Sequence, residues 1–134
     1  MASSPKTRRT AGFTLLEMMI VMIVMAILIS IAVPMYQTSL IKSREAVLRQ
    51  DLFTLRSLIS QYTLDKQKAP QSLDDLIQGG YLKVLPKDPI TNEPNWEVVQ
   101  EDVLLTVDQQ DPGINDVHSA SSATATDGTA YSSW

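Results

Sequence analysis

Hydrophobic and polar positions divide the chain into three stretches. Residues 18–33 read MMIVMIVMAILISIAV, with Ser30 the one polar side chain. Adding residues 13–17 gives a 21-residue segment. As a helix rising ~1.5 Å per residue it spans roughly 30 Å, about one hydrocarbon thickness. Pro34 follows and removes an i→i−4 hydrogen bond, which predicts a bend or local melting. Beyond it Ile41, Leu48, Leu52, Leu55, Ile59 and Tyr62 recur at helical spacing. They predict one apolar stripe on a helix that ends near Leu64. Lys42, Arg44, Arg49, Arg56 and Lys66 occupy the remaining surface with Glu45 and Asp51.

The third stretch mixes short signals. Ser72-Leu73-Asp74-Asp75 is a capping-box variant, followed by Leu76-Ile77 and a Gly79-Gly80 stop, and predicts a short helix over 73–78. Lys87-Asp88-Pro89 predicts a turn. Residues 95–99 and 103–107 read as two strands of a β-hairpin, with Trp96 and Val98 on one face. That hairpin is the natural cover for the apolar stripe. The last 23 residues, 112–134, are rich in Ser, Thr, Ala and Gly and suggest a flexible tail by composition. Tyr131 and Trp134 argue that this tail packs on something. The fold class expected is α+β: a long N-terminal helix on a small headpiece with a short helix and an antiparallel hairpin or sheet.

Composition removes several functions. There is no cysteine, so neither a disulfide nor a thiolate site is available. The single His118 stands beside Asp116 without a nucleophile at a recognisable spacing, and no phosphate loop or metal cluster appears, so no enzyme is expected. No Lys or Arg follows Lys87, whereas nine of the fifteen acids lie from Asp88 onward. Nucleic acid is therefore not an expected partner, since phosphate binding needs clustered bases.

Three readings fit the apolar segment. Lys6, Arg8 and Arg9 precede it with no acid among them, which sets residues 1–12 in the cytoplasm. A plain anchor leaves Glu17 unexplained, because an ionised acid in lipid costs about 2.5–3.5 kcal/mol. A signal peptide cut near Val33 is disfavoured by Pro34 and by Glu17 inside its apolar region. A cut between Gly12 and Phe13 leaves the apolar segment on the mature protein and gives Glu17 a role.

Gly12-Phe13-Thr14-Leu15-Leu16-Glu17, after a short basic leader and before an unbroken apolar run, resembles the processing site of type IV pilins and pseudopilins. The resemblance implies that a prepilin peptidase removes residues 1–12 after Gly12 and N-methylates Phe13. It implies that Glu17 pairs with the new amine of a neighbouring subunit during assembly, and that Pro34 kinks the helix. Residues 13–34 would then be the transmembrane and assembly helix, 35–67 its amphipathic continuation, and 68–134 a periplasmic headpiece.

Leu85-Pro86-Lys87-Asp88-Pro89, then Pro112-Gly113 with Asp116, Val117 and Ser119, and a closing Trp134 resemble the major pseudopilin family of type II secretion systems. The implied function is that of a structural subunit of the periplasmic filament that drives export of folded proteins. A type IV surface pilus subunit for adhesion or motility, or a competence pseudopilin, is the alternative. Implied partners are further copies in a helical homopolymer, minor pseudopilins, the prepilin peptidase, the inner-membrane assembly platform with its cytoplasmic ATPase, and the membrane itself. The helix bases would meet acidic second halves of adjacent subunits, against the simpler reading of a solvated face. The family also implies calcium in the last loop, with Ser119 and Asp127 as candidate ligands and Asp116, or Asp111 or Asp108, assisting. The chain departs from that pattern, since Asp127 is the one acid between Ser119 and Trp134. An ordinary Asp127-Gly128 turn stays open as the other reading.

Overall fold

A computed structural model describes Gly12, residues 14–101 and residues 112–134. Helix α1 runs Leu15–Lys66, 52 residues, and is followed by the one-turn α2 at Asp74–Gln78. Strands β1, Glu97–Glu101, and β2, Gly113–His118, form an antiparallel two-stranded sheet, and a 3-10 turn occupies Tyr131–Ser133. Two compact units divide within α1: one ends at Thr38 and the other begins at Ser39. The long helix and small α+β part match the fold class expected from the sequence.

In the first unit the helix continues through Pro34. Local melting at Pro34 is therefore corrected: the i→i−4 bond that proline cannot make is one among many, and the flanking turns keep theirs. Nearby hydroxyls turn back onto the helix, Ser30 Oγ to the Ile27 carbonyl at 2.7 Å and Thr38 Oγ1 to the Pro34 carbonyl at 3.0 Å.

The second unit is built on the last turns of α1. Leu48, Leu52, Leu55, Ile59 and Tyr62 bury the expected stripe against Leu73, Leu76, Trp96, Ile114, Val117, Ala125 and Tyr131. Ile41 departs from the expectation and lies exposed, while Glu45, expected on the solvated surface, is buried. The helix ends where Gln67 takes φ +55°, and the Gln67 amide donates to the orphan carbonyl of Leu64 at 2.7 Å. In the turn before α2, Asp75 Oδ2 accepts the backbone N–H groups of Gln71 and Ser72, at 2.8 and 3.2 Å. Only this half of the capping box forms, for no side chain caps α2.

The described partner of β1 is β2, and residues 103–107, the expected second hairpin strand, lie outside the described residues. Pairing runs Val98 with Val117 and Val99 with Asp116, then slips so that Gln100 faces Ile114. Asn115 is thus the extra residue of a bulge, and Ile114 and Val117, three apart, both bury their side chains. Trp96 is buried, with its indole N–H on the Pro86 carbonyl at 2.8 Å, whereas Val98 is exposed.

Candidate functional site

The N-terminal end of α1 is set by Thr14. Its Oγ1 accepts the Glu17 N–H at 3.2 Å and its carbonyl accepts the Met18 N–H at 3.2 Å. That geometry makes Thr14 the N-cap and Glu17 the third helical residue, where a carboxylate is favoured by the helix dipole. Thr14 is a site residue that the processing motif alone does not single out, though the Thr-x-x-Glu spacing before an apolar run is a legible capping signal. Glu17 and the large apolar side chains from Leu15 to Val33 are exposed, and none of the most apolar window is buried within the chain. A helix apolar on every face needs lipid or other helices around it. Among the described residues, no atom lies within 4 Å of where a Cβ on Gly12 would stand. Phe13, the expected first residue of the mature chain, lies outside the described residues.

In the headpiece the three expected calcium ligands are held apart by separate partners. Ser119 is fully buried, and its hydroxyl donates to Asp88 Oδ2 at 2.5 Å. Asp88, also fully buried, accepts the Ile90 N–H at 2.8 Å on its other oxygen, which fixes the turn after Pro89. Asp116 Oδ1 lies 2.6 Å from Arg56 Nε and accepts the Val117 N–H at 2.8 Å. Asp127 accepts the Thr129 hydroxyl and N–H at 2.6 and 3.0 Å, with Arg49 at 3.6 Å. A guanidinium beside each of the two aspartates opposes a divalent cation. Among the described residues no three acidic or histidine side chains converge on a metal position. Asp108 and Asp111 lie outside the described residues. Among the described residues, the candidates Ser119, Asp116 and Asp127 do not fit the calcium site that the resemblance implies.

Two helix bases find partners within their own chain. Arg56 gives one N–H to Asp116 and Nη2 to the carbonyls of Val117 and Trp134, at 2.9 and 2.8 Å. Arg49 lies 4.3 Å over the Trp134 ring. His118 donates its Nδ1–H to the Trp134 carbonyl, with Nε2 3.5 Å from Asp116. These contacts pin the small-residue tail, so its aromatics pack as expected and His118 serves structure.

Glu45 is the residue the sequence disguised. It is only 4% exposed, and its Oε1 accepts the Thr126 N–H at 2.7 Å and the Tyr131 hydroxyl at 2.9 Å. Oε2 accepts the Thr126 hydroxyl at 2.6 Å. Burial pushes the carboxyl pKa up, but the Thr126 and Tyr131 hydrogen bonds and the Arg49 charge outweigh it and hold it below the ordinary value. Burial, then the Glu45 hydrogen bond, pushes the Tyr131 hydroxyl up, so it stays a donor. Asp116 follows the logic of Glu45: burial raises it, while Arg56, the Val117 N–H and the His118 charge bring it down on balance. A carboxyl lowered by folding adds stability that is present above its unfolded pKa and is lost as pH falls through the folded one. The thermal midpoint of the headpiece is therefore expected to hold across neutral pH and to decline below about pH 4. A midpoint unchanged down to about pH 2, followed by circular dichroism, contradicts both assignments.

A capped, wholly exposed apolar helix led by Gly12 and Glu17, carrying a small α+β headpiece, defines a pilin-like protein. Residues 7–33 match the family model described as a prokaryotic N-terminal methylation motif. The chain is 35% identical over 101 residues to the type II secretion system core protein G of Aeromonas hydrophila, covering 63% of this chain and 71% of that one. It is 34% identical over 103 residues to the core protein G of Vibrio cholerae, covering 66% and 70%. Against that of Escherichia coli it is 30% identical over 103 residues, covering 65% and 71%. No solved structure matches. The chain belongs to the type II secretion system core protein G family.

Proposed function

We propose that this chain is the major pseudopilin of a type II secretion system, the structural subunit of a periplasmic filament that drives export of folded proteins. The observation that carries the reading is Glu17, a carboxylate in the first capped turn of a helix whose residues 18–33 are exposed and apolar but for Ser30. Such a group is costly in lipid and is relieved by an amine from another copy. Cleavage between Gly12 and Phe13 supplies that amine, N-methylated on Phe13. Subunits then pack their apolar helices in a heterologous contact that does not close, which yields a filament.

The reading places residues 13–34 in the inner membrane before assembly, 35–67 as the helix continuation, and 68–134 as the periplasmic headpiece. Prepilin peptidase, minor pseudopilins, an inner-membrane platform and a cytoplasmic ATPase are the partners it requires. The core protein G relatives favour a secretion filament over a surface pilus. Comparing the periplasm and culture medium of strains with and without the gene tests this. Exoproteins retained in the periplasm of the deletion strain are expected. An unchanged secretome with loss of surface fibres would assign the chain to a pilus instead.

A further inference from the structure

The loop that closes the headpiece is organised with a polarity opposite to that of a cation site. A calcium ion gathers oxygen acceptors around a positive charge. Here the loop presents donors: the Thr126 N–H, the Thr126 hydroxyl and the Tyr131 hydroxyl, all directed at one buried carboxylate on α1. Thr126 belongs to the run Ala120-Ser121-Ser122-Ala123-Thr124-Ala125-Thr126, which carries no acid. The loop backbone is folded to suit. Thr124 and Ala130 form an antiparallel bridge, Ala125 N–H bonds the Thr129 carbonyl at 2.7 Å, and Tyr131 N–H bonds the Ala123 carbonyl at 3.0 Å. Ala125 and Tyr131 are buried on either side of this bridge, so Thr126 and Tyr131 reach Glu45 from one compact turn.

We infer that Glu45 anchors the 119–131 loop to α1 in the role the resemblance gives to calcium, so that closure of this headpiece requires no metal. An anion on the helix then stands in for the cation that the resemblance puts in the loop, and the loop meets it with hydroxyls and an N–H. The same substitution explains why Asp127 and Asp116 are free to serve Arg49 and Arg56. The inference concerns the headpiece alone and stands whichever filament the chain builds.

The test uses the full chain in detergent micelles, with hydrogen exchange across 119–134 and the thermal midpoint read in chelator and then in excess calcium chloride. Wild type is expected to give the same midpoint and the same loop protection in both. Glu45→Ala is expected to lose loop protection by at least about tenfold, the loss of one charge-assisted hydrogen bond or more, and calcium is expected not to restore it. Should Glu45→Ala fail to fold, Thr126→Val removes one hydroxyl and is expected to weaken protection of the same amides. A wild-type midpoint that falls in chelator overturns the inference, as does restoration of Glu45→Ala by calcium. Loop protection unchanged in Glu45→Ala, or in Thr126→Val where that is the variant read, overturns it as well.

Discussion

Glu17→Leu is expected to leave the precursor inserted and processed but to abolish filament formation. The substitution removes a carboxylate worth about 2.5–3.5 kcal/mol of insertion cost, so the helix becomes more comfortable in lipid. Leaving the bilayer then becomes harder. The amine on Phe13 of an incoming copy also loses its partner, and an unpaired ammonium among apolar helices is a several kcal/mol penalty. Both effects act against assembly, and neither touches Gly12 or the basic leader. Thr14 continues to cap the helix, since it binds the Glu17 backbone N–H rather than the side chain. Membrane fractionation and the gel shift of leader removal should match wild type, while filament yield by shearing and electron microscopy should fall to background. Normal filaments from Glu17→Leu would remove the acid–amine pair from the mechanism.

Gly113→Ala is expected to destabilise the headpiece more than an ordinary surface substitution. A Cβ on Gly113 would stand 2.3 Å from the Ala69 Cβ and 3.2 Å from the Ala69 Cα and carbonyl carbon. Those atoms are a side-chain stub and backbone, which cannot rotate away. The strand would have to shift, and with it Ile114, whose N–H is held on the Pro70 carbonyl at 2.8 Å. Overpacking of this kind costs about 1–3 kcal/mol, and more where backbone must move. Each kcal/mol lowers the midpoint of a domain this small by roughly 4–8 °C. Ala69→Gly in the same chain should recover part of the loss, a coupling that a double-mutant cycle isolates. A Gly113→Ala midpoint equal to wild type would mean that the approach to Ala69 is not tight.

The N-terminal span and the headpiece are legible in the sequence to different degrees. The apolar span, its basic leader and Glu17 are one-dimensional features, readable because each depends on composition and spacing alone. Glu45 is a subtler case. Ile41 and Leu48 are seven apart, and Glu45 falls between them at the spacing of four and three that the rest of the stripe follows. That spacing fits the core face, whereas its charge fits the solvated surface on which the sequence alone sets it. What redeems a buried carboxylate is a set of donors 81 and 86 residues away, which no local pattern contains. Strand β2 was hidden for another reason. Its bulge puts Ile114 and Val117 on one face at a spacing of three, so the alternation that announces a strand is absent. The calcium candidates rest on the family resemblance, whereas their partners, Asp88, Arg56 and Thr129, are fixed only by the fold.

The outer edge of β2 bears on crowding. Headpieces threaded on a filament sit at a local concentration at which open strand edges invite strand addition between copies. Among the described residues, three backbone groups of β2 are engaged outside the sheet. The Ile114 N–H is taken by Pro70, the Val117 N–H by the Asp116 carboxylate, and the Val117 carbonyl by Arg56. The bulge at Asn115 further breaks the register that a flat edge would offer. Arg56 and Asp116 thus act as insulation, occupying backbone groups that a strand from a neighbouring copy would otherwise use.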